Sequence, residues 1–224
     1  MKVGVIDFPG SAALPETVEA LNRFPNVEAI VVSEDETSLS ELDAVILPSG
    51  ASYGDYLRPG SIAATSPVLA AVRKFALEGK PVLGIGNGFQ ILTEAGLLPG
   101  ALLRNSSDRF CCTVAPFTVR STRTPFTSSY ADDQEILLPL ANGFGHYWCD
   151  PETLTDLQDN DQIVLSYSHD VNGSVDQIAA ISNATGNVVG MMAHPQRALE
   201  ELLGSTDGLP VFTSLISHLE AAKN

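Results

Sequence analysis

Between Pro81 and Gly100 the chain reads PVLGIGNGFQILTEAGLLPG. Within it, Gly84-Ile85-Gly86-Asn87-Gly88 has the spacing of a turn that performs acyl chemistry. A G-x-?-x-G segment between a strand and a helix lifts its middle residue off the sheet edge on a strained backbone and aims it at the helix N-terminus. Small neighbours keep the tight turn free of clashes. A Ser or Cys in the middle becomes an exposed nucleophile, but here the middle residue is Gly86, which brings no side chain. Cys111 and Cys112 fall on an expected strand after the elbow helix, and Cys149 near the end of a later strand. These settings lack the helix N-terminus that lowers a thiol pKa. Three cysteines in an expected reducing compartment argue against a disulfide framework. His146, His169, His194 and His218 show neither H-x-x-x-H nor H-E-x-x-H spacing. No cysteine pair has ligand spacing, so no metal and no cofactor are expected.

Hydrophobic patterning supplies the elements that must position this turn. Residues 81–85 read as a short apolar strand. Residues 87–95 read as a helix with Phe89, Ile91, Leu92 and Ala95 on its apolar side. Residues 2–7, 27–32 and 43–47 read as further buried strands, and 15–24 as a helix with Pro15 near its first turn. Ser66 is expected to cap a long helix running through Leu77. The order β-α-β-β-α-β-α, with strands apolar along their length, predicts a parallel sheet covered on both faces. Functional groups then gather at the C-terminal strand ends.

From Leu102 the texture changes. Residues 110–119, 135–140, 146–150, 162–168, 177–182 and 187–192 read as strands of a mixed or antiparallel sheet. Asn183-Ala184-Thr185-Gly186 reads as a hairpin-type turn, and 210–222 as a closing helix. His146, Tyr147 and Trp148 read as strand packing. Polar 122–133 reads as a surface excursion, 156–161 as an acidic loop and 33–41 as a solvated connection. With no linker in view, residues 1–224 are expected to form a single α/β domain. Its mostly parallel sheet is flanked by helices and extended by mixed or antiparallel strands in the C-terminal half.

The 224 residues are 44% hydrophobic, enough for a sizeable core. A formal charge of −15 argues against nucleic acid or an anionic membrane as partner. No apolar run approaches a membrane span, and Met1-Lys2-Val3 leads into a strand rather than a signal peptide, so a cytoplasmic location is expected.

Several segments resemble the class I (triad-type) glutamine amidotransferases, and within them the PurQ-type glutaminase subunits of phosphoribosylformylglycinamidine synthases in purine biosynthesis. Those segments are Ala51-Ser52-Tyr53-Gly54-Asp55-Tyr56-Leu57-Arg58, the stretch 81–102, Phe110-Cys111-Cys112, Asn172-Gly173-Ser174, the stretch 186–198 ending MMAHPQRA, and Leu203-Gly204-Ser205-Thr206-Asp207-Gly208. The resemblance covers essentially the whole length. It implies a flavodoxin-like three-layer fold and a glutaminase. In that chemistry a Cys on the elbow attacks the glutamine amide, a His oriented by a Glu moves the proton, and backbone N–H groups hold the oxyanion. Ammonia then passes to a large PurL-type synthetase subunit, with a small PurS-type subunit in the complex.

Carried over by position, the resemblance places Gly86 where the nucleophile belongs, keeps His194, and puts Gln196 where the orienting Glu belongs. Pro48-Ser49-Gly50 stands where the family reads PGG, so Ser49 adds a side chain beside the oxyanion-hole backbone. Asn142-Gly143-Phe144-Gly145 replaces HGEG, and residues 9–14 (PGSAAL) replace PGSNCD. Ser49, Gly50, Asn87, Gln90 and Tyr53 are the implied substrate pocket. Tyr53, Asp55, Tyr56 and Arg58 are the implied glutamine-binding or synthetase-contact loop. Without the sulfur the covalent path is gone. Gln196 retains a hydrogen-bonding carbonyl but no charge, a change worth about 10⁴ in turnover in serine proteases. The expectation is therefore a subunit by fold and by partner whose glutaminase activity is lost or nearly lost. The alternative is a non-catalytic binding or regulatory module that holds glutamine or a similar small amino acid. An unrelated hydrolase of the same architecture would need a Ser or Cys on the elbow.

Overall fold

In a computed structural model that describes residues 1–223, the first half alternates strand and helix as its patterning predicts. β1 (Lys2–Asp7), α1 (Leu14–Asn22), β2 (Glu28–Ser33), β3 (Ala44–Leu47), α2 (Pro67–Leu77), β4 (Val82–Ile85) and α3 (Asn87–Glu94) follow in order. The second half contributes β5 (Ala101–Leu103), β6 (Cys111–Val119), β7 (Glu135–Asn142), β8 (His146–Trp148), α4 (Pro151–Asp159), β9 (Ile163–Tyr167), β10 (Ile178–Ser182), β11 (Val188–Met191) and α5 (Leu209–Ala221).

Nine strands form one sheet in the order β2-β1-β3-β4-β11-β10-β9-β6-β7, and β5 pairs with β8 in a separate ribbon. From β2 to β11 every pairing is parallel. From β11 to β7 every pairing is antiparallel. The added strands of the second half thus extend the parallel sheet. Every position of β3, β4 and β11 is buried, which requires cover on both faces. α3 packs against β3, β4 and β11, and the chain just after α1 meets α5 where the rings of Phe24 and Phe212 lie 6.3 Å apart. The order 2-1-3-4 followed by β11 is that of a flavodoxin-like sheet, whose ligands sit beyond the C-terminal strand ends.

Five expectations are corrected. β2 is an edge strand, not a buried one, with Glu28 and Val31 exposed, since among the described residues only β1 pairs with it. The acidic stretch 156–161 belongs largely to α4, which Pro151 opens and Asp150 caps by accepting a hydrogen bond from Thr153 N–H at 2.9 Å. Its single buried residue, Leu157, gives too little apolar periodicity to mark a helix. Residues 122–133 are no mere excursion: Phe126, Thr127 and Tyr130 are buried, and Ser129 N–H donates to Ser214 Oγ of α5 at 2.8 Å. Ser66 does sit at the head of α2, but its hydroxyl donates back to the Ala63 carbonyl rather than capping the helix. Finally, Tyr147 is buried as expected of strand packing, whereas Trp148 is half exposed.

Candidate active site

The elbow is present, and it is tight. Between β4 and α3, Gly86 takes φ 55°, ψ −106°, a conformation that strains any residue with a Cβ. Its N–H donates to the Met191 carbonyl of β11 at 2.8 Å. A Cβ on Gly84 would come within 2.6 Å of the Gly88 backbone, and one on Gly88 would overlap the Leu47 carbonyl oxygen of β3. The small residues of the G-x-?-x-G pattern are what let α3 sit on the sheet.

Beside this turn the structure brings Ser49 and His194 together. Ser49 follows β3, and His194 follows β11 by three residues. Ser49 Oγ lies 2.9 Å from His194 Nε2. A Cβ built on Gly86 would stand 2.5 Å from the same Ser49 Oγ and 3.3 Å from His194 Cε1. The Ser49 hydroxyl therefore occupies the space into which an elbow side chain would point. Both residues line a cleft of about 250 Å³ together with Gly50, Asp55, Asn87 and Gln90. Ala12, Asn142, Phe144 and Arg197 complete much of its wall. Gly50 is held close to the loop after β1: a Cβ there would lie 2.6 Å from Ala12 N.

Asn87 and Gln90 brace the cleft. Asn87 accepts a hydrogen bond from Ser52 N–H at 3.0 Å and donates to Gln90 Oε1 at 2.8 Å, while Gln90 Nε2 donates to the Phe144 carbonyl at 2.7 Å. The first turn of α3 is thereby tied to the loop after β3 and to the segment after β7. Asp55, half-buried in the wall, has its carboxyl pushed up by that burial.

Of the expected pocket residues, Tyr53 lies outside this wall and donates its hydroxyl to Glu34. Arg58 is likewise engaged elsewhere, in a two-point pair with Glu94, and Tyr56 is exposed. Gln196 faces a different hollow, lined by Glu16, Arg23 and Leu203 among others. Neither its amide nor His194 Nδ1 has a hydrogen-bond partner among the described residues. Gln196 therefore does not make the hydrogen bond expected of its carbonyl. The cysteines stay apart from the cleft wall, and burial pushes the Cys111 and Cys149 thiols up. Cys149 does sit just before α4, contrary to the expectation that no helix N-terminus is near it, yet desolvation dominates. Glu16 carries no mark in the sequence pattern. It pairs with Arg197 at 2.7 Å across 181 positions, and no local spacing announces such a contact.

His194 is almost fully buried, and its pKa is pushed down to about 4, first by desolvation and then by Arg197. It is neutral at pH 7. The unfolded imidazole, near 6.5, binds a proton that the folded one refuses between those values. The stability associated with neutral His194 is therefore complete above about pH 6.5 and is lost as pH falls toward about 4. At about 1.4 kcal/mol per unit the loss is about 3 kcal/mol. Urea unfolding near pH 7 and near pH 4 should show this slope in the native chain, and His194→Asn should flatten it by that amount.

Comparison with known proteins agrees with the geometry. The profile of the CobB/CobQ-like glutamine amidotransferase domain matches residues 1–207. The phosphoribosylformylglycinamidine synthase subunit PurQ of Lacticaseibacillus paracasei is 49% identical over 222 residues, covering 99% of this chain and 97% of the relative. A chain in the structure of PurLQS from Thermotoga maritima superposes with a TM-score of 0.90 at 42% identity, covering 97% of this chain and 98% of that one. The glutaminase domain of Trypanosoma brucei CTPS shares the fold, with a TM-score of 0.66 at 11% identity over 99% of this chain and 94% of that one. With its sheet order, its elbow and these relatives together, the chain belongs to the class I, CobB/CobQ-like glutamine amidotransferases and stands close to PurQ.

Proposed function

We propose that this chain is the glutaminase-type subunit of a phosphoribosylformylglycinamidine synthase assembly, acting as one domain with PurL-type and PurS-type partners in the cytoplasm, and that cysteine-based glutamine hydrolysis has been lost. The single observation that carries the loss is the elbow itself. Gly86 offers no nucleophile, and Ser49 Oγ stands where one would project. Gln196 adds to it, because an uncharged amide without a hydrogen bond to His194 neither fixes the imidazole nor stabilises its cation. The partner reading is supported by full-length similarity to PurQ and to a chain of PurLQS. Among the described residues no helix is long and apolar enough to cross a membrane.

Reconstitution with the large and small subunits is the test. The expected result is a stable complex that aminates its substrate with ammonium and shows no glutamine-dependent turnover above that of the large subunit alone. Glutamine-dependent turnover in the range of ordinary enzymes, about 1 s⁻¹ or more, would end the proposal.

One observation favours a second reading, in which the cleft holds glutamine or a similar small amino acid without consuming it. Both polar atoms of the buried Asn142 side chain lack partners among the described residues, and Asn142 lines the cleft. Buried polar groups left unmatched are costly unless a ligand or water meets them. Saturable heat on titrating glutamine, without ammonia release, is the expected signature, and no heat at millimolar glutamine would exclude it.

A further inference from the structure

We propose that Ser49 and His194 form a serine–histidine pair able to accept an acyl group from small activated esters, a nucleophile at the end of β3 in place of the one missing from the elbow. The geometry carries this. Ser49 Oγ is 2.9 Å from His194 Nε2, within the reach a general base needs. Both side chains border the same 250 Å³ cleft, and the Gly86 α-carbon beside them leaves Ser49 Oγ unobstructed on the elbow side. The cleft wall is mixed, with Asp55, Asn142 and Arg197 beside Ala12, Phe110 and Met192, which suits a short acyl group on an aromatic leaving group.

The tautomer and the charge fit one half of the chemistry. The backbone carbonyls of Met192 and Pro139 favour the protonated imidazole. Nε2 faces Ser49, and Nδ1 has no hydrogen-bond partner among the described residues. A proton on Nδ1 leaves Nε2 free to accept from the Ser49 hydroxyl. As Ser49 Oγ bonds to the acyl carbon, its proton moves to Nε2. The ester C–O bond then breaks, and once the phenoxide has left, Nε2 gives its proton up to it through solvent, leaving an acyl-serine beside a neutral His194. Water attacks the acyl carbon and yields its proton to Nε2. Ser49 Oγ leaves with that proton, and the carboxylic acid is released. The first N–H groups of α3, which a helix leaves without intrahelical partners, begin at Asn87, the residue after Gly86, and are the donors assigned to the oxyanion.

An amide asks more of the pair than an ester does. Its nitrogen must be protonated to depart, and His194 resists becoming the cation that would deliver the proton. Phenolic and other activated esters depart without that help. The pair is therefore assigned to esters, and the assignment leaves the proposed loss of glutaminase intact.

The test uses the isolated full-length chain, so it succeeds or fails independently of the reconstitution above. A fluorophosphonate probe and p-nitrophenyl acetate are the reagents, with peptide mapping to place the adduct. The expected result is modification of Ser49 at a rate about 10²-fold above that of the partly exposed Ser61, the increment of general-base assistance. His194→Asn should abolish that excess while leaving the far-ultraviolet spectrum native, and Ser49→Ala should remove the adduct. An unlabelled Ser49, labelling no faster than at Ser61, or labelling unchanged in His194→Asn would each overturn the assignment. Because the decisive readout is made on the unaltered chain, misfolding of a variant does not rescue it.

Discussion

The triple variant Ser49→Gly/Gly86→Cys/Gln196→Glu should hydrolyse glutamine in complex with its synthetase partners, while Gly86→Cys/Gln196→Glu with Ser49 retained should stay silent. The two differ by one hydroxymethyl group. A Cβ at position 86 meets Ser49 Oγ at 2.5 Å and Ser49 Cβ at 3.1 Å, closer than van der Waals contact permits. A cysteine there is already strained by about 1–3 kcal/mol through the positive φ of the elbow. With Ser49 in place it must also push the serine aside or misdirect its own sulfur. Ser49 further ties up His194 Nε2 at 2.9 Å, the nitrogen a thiol would need. Ser49→Gly removes the obstacle and frees the base in one step. Gln196→Glu restores a charge beside the imidazole if the side chain turns toward the unpartnered His194 Nδ1. The expected gain of the triple variant over the native chain is about 10⁴-fold or more, the scale on which triad members act together. Ammonia release measures it, together with alkylation of the introduced thiol by a glutamine-mimicking electrophile, located by peptide mapping. Equal activity with Ser49 present would show that the hydroxyl is no barrier.

Gly88→Ala should be among the most destabilising single substitutions in the chain, by about 3 kcal/mol. The added methyl would overlap the Leu47 carbonyl oxygen, which belongs to a strand buried at every position. No flexible side chain is available to yield, so α3 must lift off β3. For a chain of this size that loss lowers the melting temperature by about 6–12 °C. Gly96→Ala is the control. Gly96 also has positive φ, 64°, but none of the described residues lies within 4 Å of its Cβ position, so only the backbone cost of about 1–2 kcal/mol remains. Equal losses at the two positions would mean that close packing of the elbow helix contributes nothing. Because α3 also carries Asn87 and Gln90, Gly88→Ala should disturb the cleft as well, visible as loss of Ser49 labelling.

The elements legible in the sequence are those whose pattern is local. β1 is readable because Lys2–Asp7 is a run of apolar and β-branched residues between polar ends, and α3 because its apolar residues recur at helical spacing. The glycines of the elbow announce a tight turn by themselves. α4 is not readable as a helix, since it buries one residue and shows mostly polar and acidic side chains to solvent. The burial of Phe126 and Tyr130 in a polar stretch is hidden because α5, to which that stretch is tied, lies some 80 positions along the chain. Tyr53 belongs to the pocket by its company in the Ser52–Asp55 loop, yet it turns to Glu34, a choice made by side-chain geometry.

What the sequence settles alone is the kind of scaffold, the position of its nucleophile turn and the absence of a sulfur there, because backbone propensity, apolar period and residue identity are properties of neighbours along the chain. Which groups meet in the cleft is decided only on folding. Ser49 and His194 are 145 positions apart, and they come within hydrogen-bonding distance because β3 and β11 flank β4 in one parallel sheet, so that the ends of all three strands open on the same edge. Sheet register brings those ends together, and register is fixed by the whole core rather than by any segment of it.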